Sequence, residues 1–174
     1  MFKKENFQFI LVLLISLGFG LTIRSTCFSI HRVTGTSMVP AFHSGSFVLS
    51  MERPLMNWLG IKINHGDVVI VESKNMPPLA KRAMAFENDS IWIEDFNIYI
   101  NGQILKENFN RVRKNKVDCA YSELFHVPKN HVFLMGDNFC KSFDSRIFGA
   151  ASLDDIRGKV LWVIYKGKED LYDL

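Results

Sequence analysis

The feature that most restricts the fold is an uncharged apolar segment near the N-terminus, residues 7–23, which reads FQFILVLLISLGFGLTI. Lys3 and Lys4 precede this segment, and Arg24 follows it. A helix of this length is at the short end of what spans a bilayer. About 150 residues remain after this segment, which is enough for one domain with its own hydrophobic core.

Two interpretations of this segment compete, a cleaved secretory signal peptide and an uncleaved membrane anchor. Lys3 and Lys4 would be the basic region of a signal peptide. The apolar run is longer than the usual hydrophobic region of such a peptide, however, and no clear small-x-small cleavage site follows it. We therefore expect residues 1–24 to be a cytoplasmic tip and a single transmembrane anchor in the cell membrane. Residues 25–174 would then form an extracytoplasmic domain.

After the anchor, short segments rich in Val, Ile and aromatic residues predict β-strands that are bounded by turn residues. Asn101-Gly102 is a two-residue hairpin signal. Residues 54–60 are expected to form a short helix or a surface loop that touches the membrane, and residues 153–156 a single helical turn. We expect a mainly β, barrel-like antiparallel domain. The predicted strands are Ser46–Met51, Asp67–Glu72, Ser90–Glu94, Asn97–Ile100, His131–Met135 and Lys159–Tyr165.

Charge and cysteine content argue against several classes of protein. The net charge is +3, and the densest basic run, residues 111–116, lacks the stacking aromatics or module of a nucleic-acid site. We expect a solvated loop there and no nucleic-acid partner. Cys27, Cys119 and Cys140 form no C-x-x-C pair, which argues against zinc. A Cys119–Cys140 disulfide and unpaired cysteines are both open, and unpaired cysteines are the simpler expectation.

Three polar clusters carry candidate chemistry. In Gly35–Pro40, Ser37 lies between a glycine and a proline, and we expect a stiff, extended backbone there. Lys81 and Arg82 are adjacent, so on an extended chain their side chains point to opposite faces. Each of these clusters alone is also explained by a loop or by surface charge. The third cluster, residues 136–149, opens as a turn and contains Ser142, Asp144, Ser145 and Arg146.

In this order the clusters resemble the type I signal peptidase family of serine peptidases, which includes the conjugative-transfer peptidases. The family's serine motif resembles residues 37–40, and its K-R motif resembles residues 81–82. Its G-D-V-V strand is similar to residues 66–69. Its last motif, G-D-N followed by S-x-D-S-R-x-x-G, resembles residues 136–138 and 142–149. The similarity extends from the anchor to the last predicted strand.

The resemblance implies a serine endopeptidase that needs no metal or cofactor. Ser37 would be the nucleophile, and its backbone N–H would be one oxyanion donor. Lys81 would be the general base, which a lysine can be only when it is neutral. Burial in an apolar site favours the neutral form. A catalytic histidine, or Cys140 as a thiol nucleophile, has no comparable support in the sequence.

The resemblance also implies supporting residues. Ser142 would form a hydrogen bond with Lys81 and orient it. Asp144 would organise the site by pairing with Arg82 or Arg146. Some members of the family add a hydroxyl donor two residues before the nucleophile, and this chain has Gly35 there.

Other departures from the family pattern leave the substrate open. Ala41 stands where threonine is common, Phe139 stands where arginine is common, and residues 83–89 lack the usual glycines. The leading hypothesis is removal of signal peptides from exported preproteins at the bilayer surface, with the substrate bound as an added strand and small side chains before the cut. One alternative is a conjugative-transfer peptidase that processes a pilin precursor, which the departures favour somewhat. The other is an inactive membrane-tethered binding domain, against which the intact Ser37 and Lys81 argue.

Overall fold

The computed structural model describes residues 4–72, 77–94, 97–105 and 122–166. The predicted basic loop and Cys119 lie outside these residues. The chain begins with helix α1, Lys4–Cys27. Within the described part of the chain, no helix is long and apolar enough to cross a membrane. The transmembrane anchor therefore stays a prediction.

Short strands make up most of the rest of the described chain, with two short helices between them. The helices are α2, Arg53–Leu59, and α3, Ser145–Phe148, and a 3-10 turn covers Leu153–Asp155. The strands are β1 Phe28–Arg32, β2 Phe47–Glu52, β3 Val68–Val71, β4 Leu79–Phe86, β5 Ser90–Glu94, β6 Asn97–Ile100, β7 Gln103–Ile104, β8 Glu123–His126, β9 His131–Met135, β10 Ala151–Ser152 and β11 Ile156–Tyr165.

The strands form two antiparallel sheets, which confirms the predicted mainly β fold. The large sheet has the order β1-β2-β11-β3-β4-β9-β10, and the small sheet has the order β7-β6-β5-β8. Among the described strands, β1 and β10 are the edges of the large sheet, so the sheet that these strands form is open. The ladder between β4 and β9 begins only at Arg82, opposite Met135, so Leu79–Lys81 pair with β3 alone among the described strands.

Three apolar clusters hold the sheets together. Adjacent residues of β3 point to opposite faces, so Ile70 packs in one cluster while Val69 and Val71 pack in another. A further cluster joins the small sheet to β4 and β9 through Ile91, Ile93, Ile98, Met84, Phe133 and Phe139. The polar loops around β4 and β9 are thus supported by packed side chains on both faces of the large sheet.

The sequence located most of the strands with strong β-propensity. Strands β5, β6 and β9 have the predicted bounds, and the Asn101-Gly102 hairpin joins β6 to β7, with Ile100 opposite Gln103. Residues 53–59 are a helix rather than a loop, and Gly60 ends it in the left-handed conformation. Strand β4, which reads LAKRAMAF, was not predicted as a strand because alanine, lysine and arginine favour strands weakly.

Two predictions were wrong. Residues 36–42 form a turn rather than extended chain, because the Val39 N–H donates to the Thr36 carbonyl at 3.1 Å and the Phe42 N–H to the Met38 carbonyl at 2.9 Å. The adjacent residues Met38 and Val39 are both buried. In an extended strand their side chains would point to opposite faces, so one face of the strand could not bury both. Unpaired cysteines were also expected. Cys27 is free, but Cys140 is disulfide-bonded.

Candidate active site

Ser37 lies in a turn that the protein core fixes in place. Met38 is 1% exposed and Phe42 is 5% exposed, and both pack with Val48 and Ile70. The serine side chain is half-buried beside them. A nucleophile benefits from such placement because its hydroxyl does not have to be ordered at the moment of reaction.

Lys81 is a basic residue that is almost fully buried in the site. It lies on β4 opposite Val69 of β3, and only 2% of it is exposed. Its Nζ is 2.7 Å from Ser37 Oγ. The pKa of Lys81 is lowered from its ordinary value to about 8: burial is the largest cause and lowers the pKa, the Asp144 carboxylate raises it, Arg146 lowers it and the Asp137 carboxylate raises it. With this pKa, about a tenth of Lys81 is neutral at pH 7 and about half at pH 8, and only the neutral form can act as a general base.

Arg82, the next residue on β4, bonds to a different group. Its Nε and Nη2 donate to the two carboxylate oxygens of Asp137 at 2.7 and 2.5 Å. Its Nη1 donates to the Gly66 carbonyl at 2.6 Å. The sequence singled out Arg82 but not this partner, which lies in the Gly-Asp-Asn turn after β9. The bidentate pair ties that turn to β4.

Asp144 is fully buried and pairs with Arg146, one of the two arginines predicted for it. The Arg146 Nε and Nη2 donate to its two oxygens at 2.8 and 2.7 Å. The Gly136 N–H donates to Asp144 Oδ2 at 3.0 Å. Asp144 also caps α3 by accepting from the Arg146 N–H. One carboxylate thus joins the end of β9 to α3 and to its arginine.

Asn138 holds the serine turn, a role that the sequence did not suggest. Its backbone N–H donates to the Ser37 carbonyl at 3.0 Å, and its Nδ2 donates to the Thr36 carbonyl at 3.2 Å. The side chain is 2% exposed. Asparagine after Gly-Asp is an ordinary turn residue, so its long-range role becomes visible only in the structure.

Ser142 is close to the serine turn but does not form the predicted hydrogen bond to Lys81. Its Oγ is buried and has no hydrogen-bond partner among the described residues. A β-carbon added at Gly136 would meet Ser142 Oγ and the Ser37 carbonyl oxygen, and would lie 2.7 Å from the Ser142 β-carbon. The chain therefore needs glycine at position 136 for the two loops to approach each other.

A cleft of about 490 Å³ opens beside Ser37. Two segments, residues 30–34 and 77–80, line it together with Met38 and Ile70. His31 lies in this lining, but its Nε2 is 2.9 Å from Ser50 Oγ. Among the described residues, Lys81 is the basic side chain that has a hydrogen-bond distance to the hydroxyl of Ser37, so a catalytic histidine gains no support.

Known proteins share this sequence pattern and fold. The profile of the family described as "Signal peptidase, peptidase S26" matches residues 6–165. The chain belongs to this family. Signal peptidase I of Bacillus licheniformis is 30% identical over 83% of this chain and 80% of its own length. Signal peptidase I U of Bacillus subtilis (strain 168) is 30% identical over 94% of this chain and 90% of its own length.

A solved structure agrees with this membership. The crystal structure of a signal peptidase I from Enterococcus faecalis V583 matches with a TM-score of 0.50 and 26% identity, over 58% of this chain and 97% of that one. This member of the signal peptidase family is a serine endopeptidase of the signal peptidase I type. The Ser37 turn, β4 and the loop after β9 all fall within the matched residues.

Replacing Asn138 with alanine should lower the catalytic rate with little loss of folding stability. The change removes the side-chain bond to Thr36 but keeps the backbone bond to Ser37, so the turn loses part of its anchorage. We expect kcat to fall by about tenfold, as for about 1.4 kcal/mol of lost positioning. Steady-state cleavage of a preprotein measures it. Asn57→Ala, on exposed α2, is the control. Equal kcat values for both variants would contradict the assigned role.

Proposed function

We propose that this chain is a signal peptidase I that removes signal peptides from exported preproteins by means of a Ser37–Lys81 dyad. The observation that carries the proposal is the 2.7 Å contact between Ser37 Oγ and Lys81 Nζ, with Lys81 buried. A hydroxyl is a weak nucleophile until a neighbouring base accepts its proton, and a buried lysine is able to do so.

In the proposed reaction, neutral Lys81 accepts the proton of Ser37 as Oγ attacks the scissile carbonyl carbon. The oxyanion that forms is stabilised by donors that include the Ser37 backbone N–H. When the tetrahedral intermediate collapses, the C–N bond breaks and Lys81 returns the proton to the leaving amine. Lys81 then deprotonates a water, which hydrolyses the ester on Ser37 and restores both residues.

We further propose that the substrate binds in the cleft as an additional β-strand. Strand β1 is an edge of the large sheet, and Leu79 and Ala80 of β4 have no second strand neighbour among the described residues. Two segments that line the cleft thus carry backbone groups that an extended peptide could pair with. Met38 and Ile70 make the cleft apolar next to Ser37, which suits small apolar side chains before the cut.

The supporting residues would act on Lys81. Arg146 balances the charge of Asp144, and Arg82 balances that of Asp137. A buried hydroxyl without a partner is costly, so we expect Ser142 Oγ to bond to Lys81 when Lys81 turns away from Ser37 to deliver its proton. Ser142 would then orient the ammonium group towards the leaving amine.

Membrane anchoring by α1 is the remaining part of the proposal. Large apolar side chains of α1 are exposed, including Phe9 at 70%, Leu13 at 54% and Leu14 at 58%. No charged residue lies between positions 7 and 23. With Lys3 and Lys4 on the cytoplasmic side, the catalytic domain would face the outside, where exported proteins emerge.

Ser37→Ala and Lys81→Met should each reduce cleavage of a preprotein by a factor of at least about 1,000 while the domain stays folded. Incubation of purified full-length protein with a preprotein, followed by mass spectrometry of the products, measures the rate and the cut. Ser122→Ala and Lys129→Met, both exposed, are matched controls. Substantial activity of either dyad variant would exclude the mechanism. A pilin precursor cleaved in place of the preprotein would exclude the substrate class but leave the mechanism.

Cleavage should increase with pH. Because only neutral Lys81 accepts a proton and its pKa is about 8, the neutral fraction rises about tenfold per pH unit below that value and levels off above it. The logarithm of kcat/KM, measured from pH 6 to 10, should therefore rise with unit slope and flatten beyond about pH 8. A profile that is flat over this range would contradict a lysine base.

Charge placed in α1 should release the protein from membranes. Arginine at the centre of a spanning helix costs about 2.5–3.5 kcal/mol each, so the double variant Leu13→Arg, Leu14→Arg should shift the protein from the carbonate-resistant membrane fraction to the soluble fraction. Leu124→Arg, at an exposed leucine of the small sheet, is the control. Unchanged membrane retention of the double variant would refute anchoring by α1.

A further inference from the structure

The loop after β9 contains an aromatic side chain that the proposed mechanism does not use. The guanidinium carbon of Arg146 lies 4.1 Å from the centroid of the Phe139 ring. The same guanidinium donates two hydrogen bonds to Asp144. Arg146 therefore contacts an aromatic face and a carboxylate at the same time. A contact between a cation and the face of an aromatic ring is attractive, and more strongly so when both groups are desolvated.

Phe139 itself is held firmly. It is 2% exposed and packs in the cluster that joins the small sheet to β4 and β9, with Ile91 and Phe133 among its members. The Arg146 side chain is 7% exposed and Asp144 is fully buried. Little water is therefore present to screen the charges of this group or to replace the aromatic contact if it is lost.

We propose that Phe139 is a positioning residue for catalysis, whose ring keeps the Arg146 guanidinium on Asp144 and thereby fixes the electrostatic environment of Lys81. The inference rests on the proposed role of Lys81 as general base. Arginine is common in the family at the position of Phe139. The proposal therefore assigns a function to a residue at which this chain departs from the family pattern.

The direction of the effect follows from the charges around Lys81. Burial has the largest influence and lowers the pKa of Lys81, Asp144 raises that pKa, Arg146 lowers it, and Asp137, which is paired with Arg82, raises it. When Arg146 moves away from Asp144, the negative charge is no longer balanced and the lowering effect of Arg146 is weakened. Both changes favour the charged form of Lys81, so the enzyme would need a higher pH to reach the same activity.

Phe139 could instead act only by filling space in the apolar cluster. Its loss would then lower stability and reduce activity to the same extent at every pH. The pH dependence of cleavage separates the two roles, since a cavity in the cluster does not change the charges around Lys81. Phe133, fully buried in the same cluster, has a ring 5.1 Å from that of Phe125 and provides a matched aromatic position.

The test compares full-length variants with one preprotein from pH 6 to 10.5, under conditions in which each is folded by circular dichroism. Phe139→Met and Phe139→Leu each keep most of the side-chain volume but remove the aromatic face. Both should shift the acid limb of kcat to higher pH by about one unit, so that kcat is about tenfold below wild type at pH 7 and within about twofold at pH 10. Phe139→Tyr, which keeps the aromatic ring, should have the acid limb of the wild type. KM should be unchanged in all three.

Phe133→Leu should lower the melting temperature without moving the acid limb. In an Arg146→Lys background, Phe139→Met should add no further shift, because its effect acts through the guanidinium. An unshifted limb in Phe139→Met, a uniform loss at all pH values, or the same shift in Phe133→Leu would each overturn the proposal. A wild-type profile without an acid limb would instead refute Lys81 as the base, and with it the proposed function.

Discussion

The burial of Lys81 against Ser37 is the constraint on which the rest of the structure depends. Lowering the pKa of a lysine from 10.5 to about 8 corresponds to about 3 kcal/mol of destabilisation of its charged form. That cost is a sizeable part of the stability of a domain of this size, so the surrounding packing must offset it. The apolar clusters on both faces of the large sheet enclose β4 and provide this packing.

The two carboxylates whose charges reach Lys81 are each paired with an arginine. Asp137 accepts two hydrogen bonds from Arg82, and Asp144 accepts two from Arg146. An unpaired carboxylate near Lys81 would form an ion pair with it and keep it protonated. The arginines therefore have an electrostatic role as well as a structural one. They let the loop after β9 carry acidic residues that organise the turn without holding Lys81 in its protonated form.

The sequence predicted these residues better than it predicted their partners. Ser37 and Lys81 were found because each lies in a recognisable motif, although 44 positions separate them. The partner of Arg82 was missed because Asp137 is 55 positions away and reads locally as a turn residue. The Ser37 turn was predicted as extended because Pro40 restricts the backbone locally, whereas the burial of Met38 depends on side chains from distant strands. Local sequence reports propensity, whereas these features are set by tertiary contacts.

Tertiary contacts also determine strand β4, because its amino-acid composition has only a weak propensity for β-strands. It is held as a strand by ladders to β3 and β9, and the second ladder stops short of Leu79. The first part of β4 is therefore available as a border of the cleft, while its later part is locked within the sheet. Lys81 lies at the junction of these two parts, where the strand is fixed by neighbours but the adjacent cleft remains open.

The connection between α1 and the cleft limits where a substrate can lie. Helix α1 ends at Cys27 and strand β1 begins at Phe28, so no linker separates them. The residues that follow on β1 form one border of the cleft. If α1 is embedded in a bilayer, as proposed, the cleft can be only a few residues' length from the membrane surface, about 3.3 Å for each residue of β1. A peptide that is itself attached to a membrane helix could then enter the cleft without crossing a long aqueous gap, and a free soluble peptide would lose that advantage.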